Sequence, residues 1–175
     1  MDTIKLHLGC GKRYFGPEWV HIDSAKFDHV QYYNIRKLPF KDNSVDVIYA
    51  SHLIAYFDRL EIMDLLYEWK RVLKEGGTLR LATPDLFKMS KLYIESKVRL
   101  EDIHGPMYGR MSMNDKTIYH KTVYDYPSLA KVLMLCGFKN VRRYDHDRTD
   151  HALFDDHSAA YLKGILISLN VECNA

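Results

Sequence analysis

Apolar and polar positions along the chain follow two different periods, one typical of strands and one of helices. Short runs of branched and aromatic residues predict strands at residues 4–8, 19–22, 30–33 and 45–50. Only about ten residues separate the first two runs, which is too few for a crossover helix. The first two strands are therefore predicted to be joined without a full helix.

A helical stripe follows the fourth strand. Asp58 and Glu61 have the spacing of a capping box, and Gly76-Gly77 predicts the end of the helix. The apolar positions that recur with helical spacing are Ile62, Leu65, Leu66, Trp69, Val72 and Leu73. Weaker signals predict two more helices, at 85–98 and 127–137, and strands at 78–82, 138–144 and 165–171.

Two segments have no clear period. Residues 99–121 are rich in Gly, Met, His and Tyr and are predicted to form a lid or substrate segment, and residues 146–163 are polar and mixed. Strands and helices otherwise alternate, and two late strands are joined by a long connection. This order predicts a single α/β domain over residues 1–175, with three layers and a terminal antiparallel strand on a parallel sheet.

Composition and charge mainly exclude classes of partner and of cellular location. A net charge of +2 over 175 residues, with no block of Lys and Arg, argues against a nucleic-acid partner. The three cysteines lack zinc spacing, so a reduced chain is expected. The sequence has neither a secretory signal pattern nor the ~20 apolar residues of a membrane span. A cytoplasmic protein without a membrane span is predicted.

Candidate chemistry lies directly after the predicted strands. These positions are Gly9-Cys10-Gly11, Asp23, Asn34-Ile35, Ala50-Ser51-His52 and Thr83-Pro84-Asp85. In an open parallel sheet the ligand binds beyond the carboxyl ends of the strands. Glycine lets the backbone approach a ligand closely, and a carboxylate can accept hydrogen bonds from both ribose hydroxyls.

The turn LGCGKRYFGPEW narrows the class of ligand. It lacks the third glycine and the following helix of a dinucleotide fingerprint, and it has no P-loop GKS/T. The glycines alone could form a plain tight turn. Together with Asp23 they favour a ligand that has ribose and adenine but no phosphate.

Three stretches carry a resemblance to a known family: LHLGCGKRYFGPEWVHID, KLPFKDNSVDVIYASHL and EWKRVLKEGGTLRLATPD. They resemble motifs of class I S-adenosylmethionine-dependent methyltransferases. The similarity is greatest to short methyltransferases of the type 11 kind, often associated with surface-polysaccharide genes, and it extends through HKTVYDYPSLAKVLMLCGFKNVRRYD and ISLNVEC. The resemblance implies a Rossmann-like, mostly parallel seven-stranded sheet with one antiparallel strand, and S-adenosylmethionine (SAM) as cofactor.

The resemblance also implies roles for individual residues. Three departures from the family stand out: Asn34 replaces a frequent Asp, LKEGG replaces the commoner LKPGG, and Ala55-Tyr56 replaces Glu-His, which puts the catalytic apparatus in question. By position, the methionine part of SAM would meet Leu8, Gly9, Cys10 and Gly11, the ribose Asp23 and Ser24, the adenine Asn34 and Ile35, and the methyl-donor end Ala50, Ser51 and His52.

Methyl transfer needs a general base only if the acceptor must lose a proton. His120 is the first candidate, followed by His104 and His52, although any of them could be an ordinary loop or core histidine. Arg110 and Lys121 could hold a phosphate or carboxylate of the acceptor, or could be solvated loop charges. Candidate acceptor-binding residues are Tyr108, Arg110, Tyr119 and Lys121.

The stretch HDRTDHALFDDH is rich in metal-ligand types but matches no known metal spacing, so no metal is predicted and Asp155 or Asp156 is expected to cap a short helix. Two functions remain open. One is methyl transfer to an oxygen or nitrogen of a small molecule, such as a sugar or nucleotide-sugar. The other is a non-catalytic SAM-binding module or accessory subunit. A homodimer or an accessory partner is compatible with either, and a Rossmann dehydrogenase is a distant third.

Overall fold

The computed structural model describes residues 3–113 and 116–175. Its elements alternate between strands and helices, much as the hydrophobic pattern predicts. In chain order they are β1 (Lys5–Leu8), β2 (Trp19–Ile22), β3 (Val45–Ser51), α1 (Glu61–Val72), β4 (Leu73–Pro84), α2 (Leu86–Ile94), α3 (Leu100–Tyr108), β5 (Met111–Met113), β6 (Lys116–Ile118), α4 (Tyr126–Leu135), β7 (Lys139–Arg143), β8 (Tyr161–Leu162), β9 (Ile165–Leu166) and β10 (Ser168–Asn174). None of these described helices is long and apolar enough to cross a membrane.

Six strands form the main sheet of the described chain, in the order β2-β1-β3-β4-β10-β7. The neighbours from β2 to β4 are parallel, whereas β10 is antiparallel to both β4 and β7. The prediction of a mostly parallel α/β sheet with one antiparallel strand near the end of the chain is therefore confirmed. The carboxyl ends of β1, β2, β3 and β4 meet at one edge.

The predicted strand at residues 30–33 is wrong, which reduces the sheet from seven strands to six among the described residues. This segment runs beside β2, where Gln31 N donates to His21 O and Asp23 N donates to Tyr32 O. However, His21 N donates to the side-chain Oε1 of Gln31 at 2.6 Å. Because a side chain occupies this place in the ladder, only an isolated bridge forms between Ile22 and Tyr32.

Helix α1 begins as predicted. Asp58 Oδ1 accepts from the backbone N–H of Leu60 and of Glu61, and Glu61 Oε2 accepts from Asp58 N, which is the reciprocal pattern of a capping box. The predicted end at Gly76-Gly77 is wrong. The helix ends at Val72 because the chain already pairs with β3 at Leu73.

One face of the sheet packs against α1 and α4. Their buried side chains form a single cluster with Leu6, Leu8 and Ile22 from the strands. Trp69 of α1 is fully buried at its centre, and its indole Nε1–H donates to Ile35 O at 2.9 Å. This bond fixes residue 35 beside the edge where the strands end. Each fully buried large side chain contributes about 1.5–3 kcal/mol to folding.

The opposite face of β1, β2 and β3 has a different character. It carries the buried side chains of His7, Trp19, His21 and Tyr49, which alternate with the residues of the helical face. A segment of turns and two short 3₁₀ helices, residues 145–160, packs here where a helical layer was expected. Its Asp150 accepts from Lys5 at 2.8 Å and from Arg80 at 2.8 Å. The predicted three-layer arrangement is therefore not confirmed.

The predicted lid segment, residues 99–121, is more ordered than its sequence suggests. It forms α3 and the β5–β6 hairpin. Its helical period is weak because Gly105 and Pro106 lie inside α3 and only Ile103 is buried there. Two other predictions need correction. Helix α2 ends at Ile94, before the predicted residue 98, and the predicted strand at 165–171 divides into β9 and β10.

Candidate functional site

A cavity of about 650 Å³ lies at the edge where β1 to β4 end. Its walls come from the strand ends on one side and from α3, the hairpin and the segment before α4 on the other. Most of the predicted site residues line it. These are Gly9, Gly11, Asp23, Ser24, Asn34, Ile35, Ser51, His52, Arg110, Tyr119, His120 and Lys121.

Five predicted site residues are not among those that line this cavity. Leu8 and Ala50 are buried in the core on the helical face of the sheet. Cys10 is also buried, and its burial raises the pKa of the thiol to about 12, so the thiol stays protonated at neutral pH. His104 and Tyr108 line a shallower depression next to the cavity. The side chains of all five therefore lie apart from the cavity wall.

The glycine turn is fixed by the carboxylate after β2. Asp23 Oδ2 accepts from Gly11 N at 2.8 Å, and its Oδ1 accepts from Ala25 N at 2.8 Å. Gly9 and Gly11 have φ angles of +65° and +55°. A Cβ on Gly9 would lie 2.8 Å from Leu53 Cδ1. Asp23 therefore shapes the turn and still faces the cavity with acceptor capacity on both oxygens.

Asn34 forms a turn of its own beside the cavity. Its Oδ1 accepts from Arg36 N at 2.9 Å and from Lys37 N at 3.2 Å. The amide Nδ2 is therefore the group that Asn34 has available as a donor to a ligand. Asp, which is frequent here in the resembling family, would supply no such donor.

His52 follows β3 with a φ of +51°, an uncommon conformation for a residue with a side chain. Its backbone N–H donates to Ala82 O at 2.7 Å, which holds it beside β4. Its Nε2 lies 3.3 Å from Ser168 Oγ, and its ring lies 5.2 Å from that of His157. Burial, followed by the nearby His157, lowers the pKa of His52 to about 3, so the ring is neutral at physiological pH.

His120 is held by the segment that ends α3. Its Nδ1 lies 3.0 Å from Met107 O, a contact in which Nδ1–H donates and Nε2 keeps a lone pair. The ring meets Tyr56 edge to face, with 4.6 Å between the ring centroids. Burial lowers the pKa of His120, which favours the neutral ring that a base requires.

Gly109 leaves space for His120. Its φ is +52°, and a Cβ there would collide with Nε2 and lie 2.7 Å from Cδ2 and Cε1 of the ring. We expect Gly109→Ala to destabilise the protein by about 2 kcal/mol, through backbone strain and displacement of the ring, as measured by urea unfolding. The matched control is Gly105→Ala inside α3, where a Cβ meets nothing within 4 Å and alanine should add about 0.5–1 kcal/mol. Equal effects of the two changes would contradict this.

Sequence reasoning missed several residues of the cavity wall. Arg13 directly follows the glycine turn, and His157 lies in the histidine-rich stretch at 146–157, so both were visible as residue types but without a local pattern. Arg13 Nε donates to Asp155 O at 3.0 Å, and an Arg13 side-chain nitrogen lies 3.4 Å from His157 Nε2. Asp156 caps the short 3₁₀ turn at His157–Ala159, which confirms the predicted cap.

Within residues 3–113 and 116–175, no group of three or more His, Cys, Asp or Glu side chains is arranged to hold a metal ion. The histidine-rich stretch instead packs against the sheet. His151 is buried against Tyr49, with 3.9 Å between the ring centroids, and Asp156 accepts from the Tyr49 hydroxyl.

Comparison with known proteins gives one family match and many structural matches. A model described as a methyltransferase domain matches residues 15–81, less than half of the chain. No curated protein matches the sequence. The family match supports the sequence resemblance, while its association with surface-polysaccharide genes finds no support in these comparisons.

The solved structures show the fold. A SAM-dependent methyltransferase from Methanosarcina mazei aligns with a TM-score of 0.59 and 18% identity, over 99% of this chain and 93% of the other. DhpI in its SAM–HEP complex aligns with a TM-score of 0.60 and 12% identity, over 99% of this chain and 78% of the other. A chain from the complex of the Haloferax volcanii Trm112 methyltransferase activator with a protein described as a methyltransferase aligns with a TM-score of 0.56 and 14% identity. The alignment covers 99% of this chain and 82% of the other. The chain therefore has the fold of SAM-dependent methyltransferases.

Proposed function

We propose that the protein is a SAM-dependent methyltransferase that acts on an oxygen or nitrogen of a small molecule. The observation that carries the proposal is the cavity at the strand ends, where a glycine turn, a carboxylate and an amide follow β1, β2 and residues 30–33 in turn. This order suits an amino-acid tail, a ribose and an adenine along one wall. The fold and the family match point to the same cofactor.

The chain's own residues fit SAM at each part. The backbone of Gly9 and Gly11 gives close approach for the methionine part, and Cys10 and Leu8 would act there through backbone only. Asp23, with Ser24 beside it, would accept from the ribose hydroxyls. Asn34 and the Ile35 N–H would meet the adenine edge. Ser51 and His52 would lie near the methyl-donor end, with Ala50 supporting them from the core.

The charge of the cavity indicates an anionic acceptor. Among the residues that the structure describes, the lining includes four cationic side chains, Arg13, Arg36, Arg110 and Lys121, and one carboxylate, that of Asp23. Arg36 and Lys121 both pair with Glu61, at 2.7 Å and 2.8 Å. Arg13 instead donates to a main-chain carbonyl, so that contact leaves its charge uncancelled. A phosphate or carboxylate on the acceptor would complement this charge, and a nucleotide-sugar is the specific acceptor we propose.

Bound SAM supplies an electrophilic methyl group on a sulfonium. The protein then has to align the acceptor in line with that group and receive its proton, and alignment alone can contribute ~7–11 kcal/mol to lowering the barrier. Tyr119, Arg110 and Lys121 would hold the acceptor. Three histidines of the described chain line the cavity, and of these His120 and His52 are the predicted candidates for accepting a proton, while His157 was not predicted. His104 is a weaker candidate because it lies in the neighbouring depression.

A second function remains under consideration because of Ala55-Tyr56 and the Trm112 neighbour. In this second function the protein binds SAM without catalysing methyl transfer, or it acts as one subunit together with an accessory partner or with a second copy of itself. Tyr56 lines the cavity and contacts His120, so it occupies space there as a bulky aromatic. The cytoplasmic location stays a prediction.

Calorimetry and turnover together test the proposed function. We expect the purified chain to bind SAM and S-adenosylhomocysteine, and to release S-adenosylhomocysteine when incubated with a panel of nucleotide-sugars and sugar phosphates. Matched neutral sugars are the control for the anionic acceptor. Failure to bind SAM would refute the proposal. Binding without turnover, together with a stable partner, would favour the second function.

A further inference from the structure

A chain of buried hydrogen bonds ends at His52. It runs from the carbonyl of Ser158, in the segment that packs on the sheet, through Asn170 and Ser168 of β10. Asn170 Nδ2 donates to Ser158 O at 2.9 Å, and Ser168 Oγ donates to Asn170 Oδ1 at 3.0 Å. Ser168 Oγ then lies 3.3 Å from His52 Nε2. Both β10 side chains are almost fully buried, at 1% and 4% exposure.

The donors and acceptors in this row of hydrogen bonds are fixed by the carbonyl of Ser158, at the end opposite His52. A carbonyl can only accept, so the Asn170 amide must turn its Nδ2 toward Ser158 and its Oδ1 toward Ser168. The Ser168 hydroxyl has a single proton, which Oδ1 receives. At 3.3 Å the Ser168 oxygen is then left to accept from His52, which favours the ring proton on Nε2 and the lone pair on Nδ1.

We infer that Ser168 and Asn170 are positioning residues that hold His52 as the Nε2-protonated tautomer, so that Nδ1 accepts the proton of the methyl acceptor. This inference rests on the proposed methyl transfer. In that step the acceptor oxygen or nitrogen forms a bond to the methyl carbon, the S–CH₃ bond breaks, and its electron pair stays on sulfur. The acceptor proton passes to Nδ1. A weakly basic ring suffices, because the acceptor becomes strongly acidic as the new bond forms.

Alternation along β10 explains why this pair of residues can act together. Ser168 and Asn170 are two residues apart and therefore point to the same side of the strand. His52 is held independently by its backbone bond to Ala82 and by its uncommon φ. The ring of His157 lies 5.2 Å from that of His52, and the main chain of His157 is also close to the ring. The charges of Arg13 and His120 are near enough to lower the pKa of His52 further. The ring is therefore oriented from the sheet and from residues 145–160 at once.

NMR of the ¹⁵N-histidine-labelled full chain, without ligand, tests the tautomer directly. We expect a slowly exchanging Hε2 signal for His52, identified by its loss in His52→Gln. Ser168→Ala should expose that proton to rapid exchange, whereas Ser168→Thr should retain it. Ser158→Ala is the matched control, because it keeps the carbonyl that Asn170 uses.

A His52 protonated on Nδ1 in the unmodified protein would overturn the inference, and so would an Hε2 signal that Ser168→Ala and Asn170→Ala leave unchanged. The first result needs no variant to fold. In turnover assays, Ser168→Ala should lower kcat about tenfold, the usual worth of one hydrogen bond, with the Kd for SAM unchanged. Loss of SAM binding by the unmodified protein would refute the proposed function and leave the tautomer result standing.

Discussion

Replacement of Asp23 with alanine is expected to weaken the binding of SAM about 100-fold. The carboxylate would accept two charge-assisted hydrogen bonds from the ribose, each worth about 1.5–3 kcal/mol, and a loss of about 3 kcal/mol corresponds to that factor. S-adenosylhomocysteine has the same ribose, so its affinity should fall by the same factor. Calorimetry with both ligands measures the effect.

The same variant also removes the brace of the glycine turn, since Asp23 accepts from Gly11 N and Ala25 N. Thermal unfolding of the variant separates a local effect from loss of the fold. Asp23→Asn keeps one acceptor oxygen and should show an intermediate affinity. Asp28→Ala, an exposed carboxylate in the next turn, is the matched control and should bind as the unmodified protein does. An affinity for SAM within threefold in Asp23→Ala would contradict the assigned role.

Mild acid is expected to destabilise the protein strongly. The effect comes from the buried histidines on the face of the sheet against which residues 145–160 pack. Burial lowers the pKa of His21 and of His151 to about 4, and that of His7 well below its usual value. Nδ1 of His7, Nδ1 of His21 and Nε2 of His151 have no hydrogen-bond partner among the described residues. These rings are therefore neutral in the folded protein.

The direction in which the free energy of unfolding changes with pH follows from proton binding. The unfolded chain takes up protons near pH 6.5, whereas the folded chain resists them down to about pH 4. The free energy of unfolding is therefore at its full value above about pH 6.5 and falls as the pH drops toward 4. His151 alone accounts for a loss of about 2 kcal/mol at pH 5, and His7 and His21 add to it in the same direction.

Urea unfolding between pH 7 and pH 5 measures this dependence. His151→Phe should reduce the loss at pH 5 by about 2 kcal/mol and leave the part due to His7 and His21, because phenylalanine keeps the aromatic packing against Tyr49 and Phe15 and cannot take up a proton. His104→Gln, at an exposed position on α3, is the control and should leave the slope unchanged. A free energy of unfolding that stays constant from pH 7 to pH 5 would contradict the prediction.

The strand ends were predictable because their signals are local. Gly9, Gly11 and Asp23 lie within fifteen residues of one another, and the glycine turn and Asp23 each directly follow one of the two predicted strands that end at this edge. The start of helix α1 was equally clear, since its capping residues and the first positions of its stripe lie in one segment, whereas its end depends on the pairing of Leu73 with β3. In each case that was predictable, the residues that determine the structure are near neighbours in sequence.

The remaining wall of the cavity was not predictable in this way. Arg13 meets residues 142 and 144 positions further along the chain, and these contacts depend on how residues 145–160 pack on the sheet. The buried histidines were missed for a related reason. His7 and His21 look like polar positions of half-exposed strands, and loop residues such as Phe15 for His7 and Tyr14 and His29 for His21 pack against them. Sequence reasoning also had no signal for the contact of Ser168 with His52, which requires the register of β10 against β4.

The segment 145–160 has a consequence for how ligand binding would be felt across the molecule. Asp156 accepts from Tyr49 beneath the sheet, and the next residue, His157, lines the cavity. Local opening of this short stretch would loosen the packing of the sheet face and the wall of the cavity together. A ligand bound against His157 would therefore stabilise the form in which residues 145–160 pack on the sheet. Amide hydrogen exchange along this segment should slow in proportion to ligand occupancy.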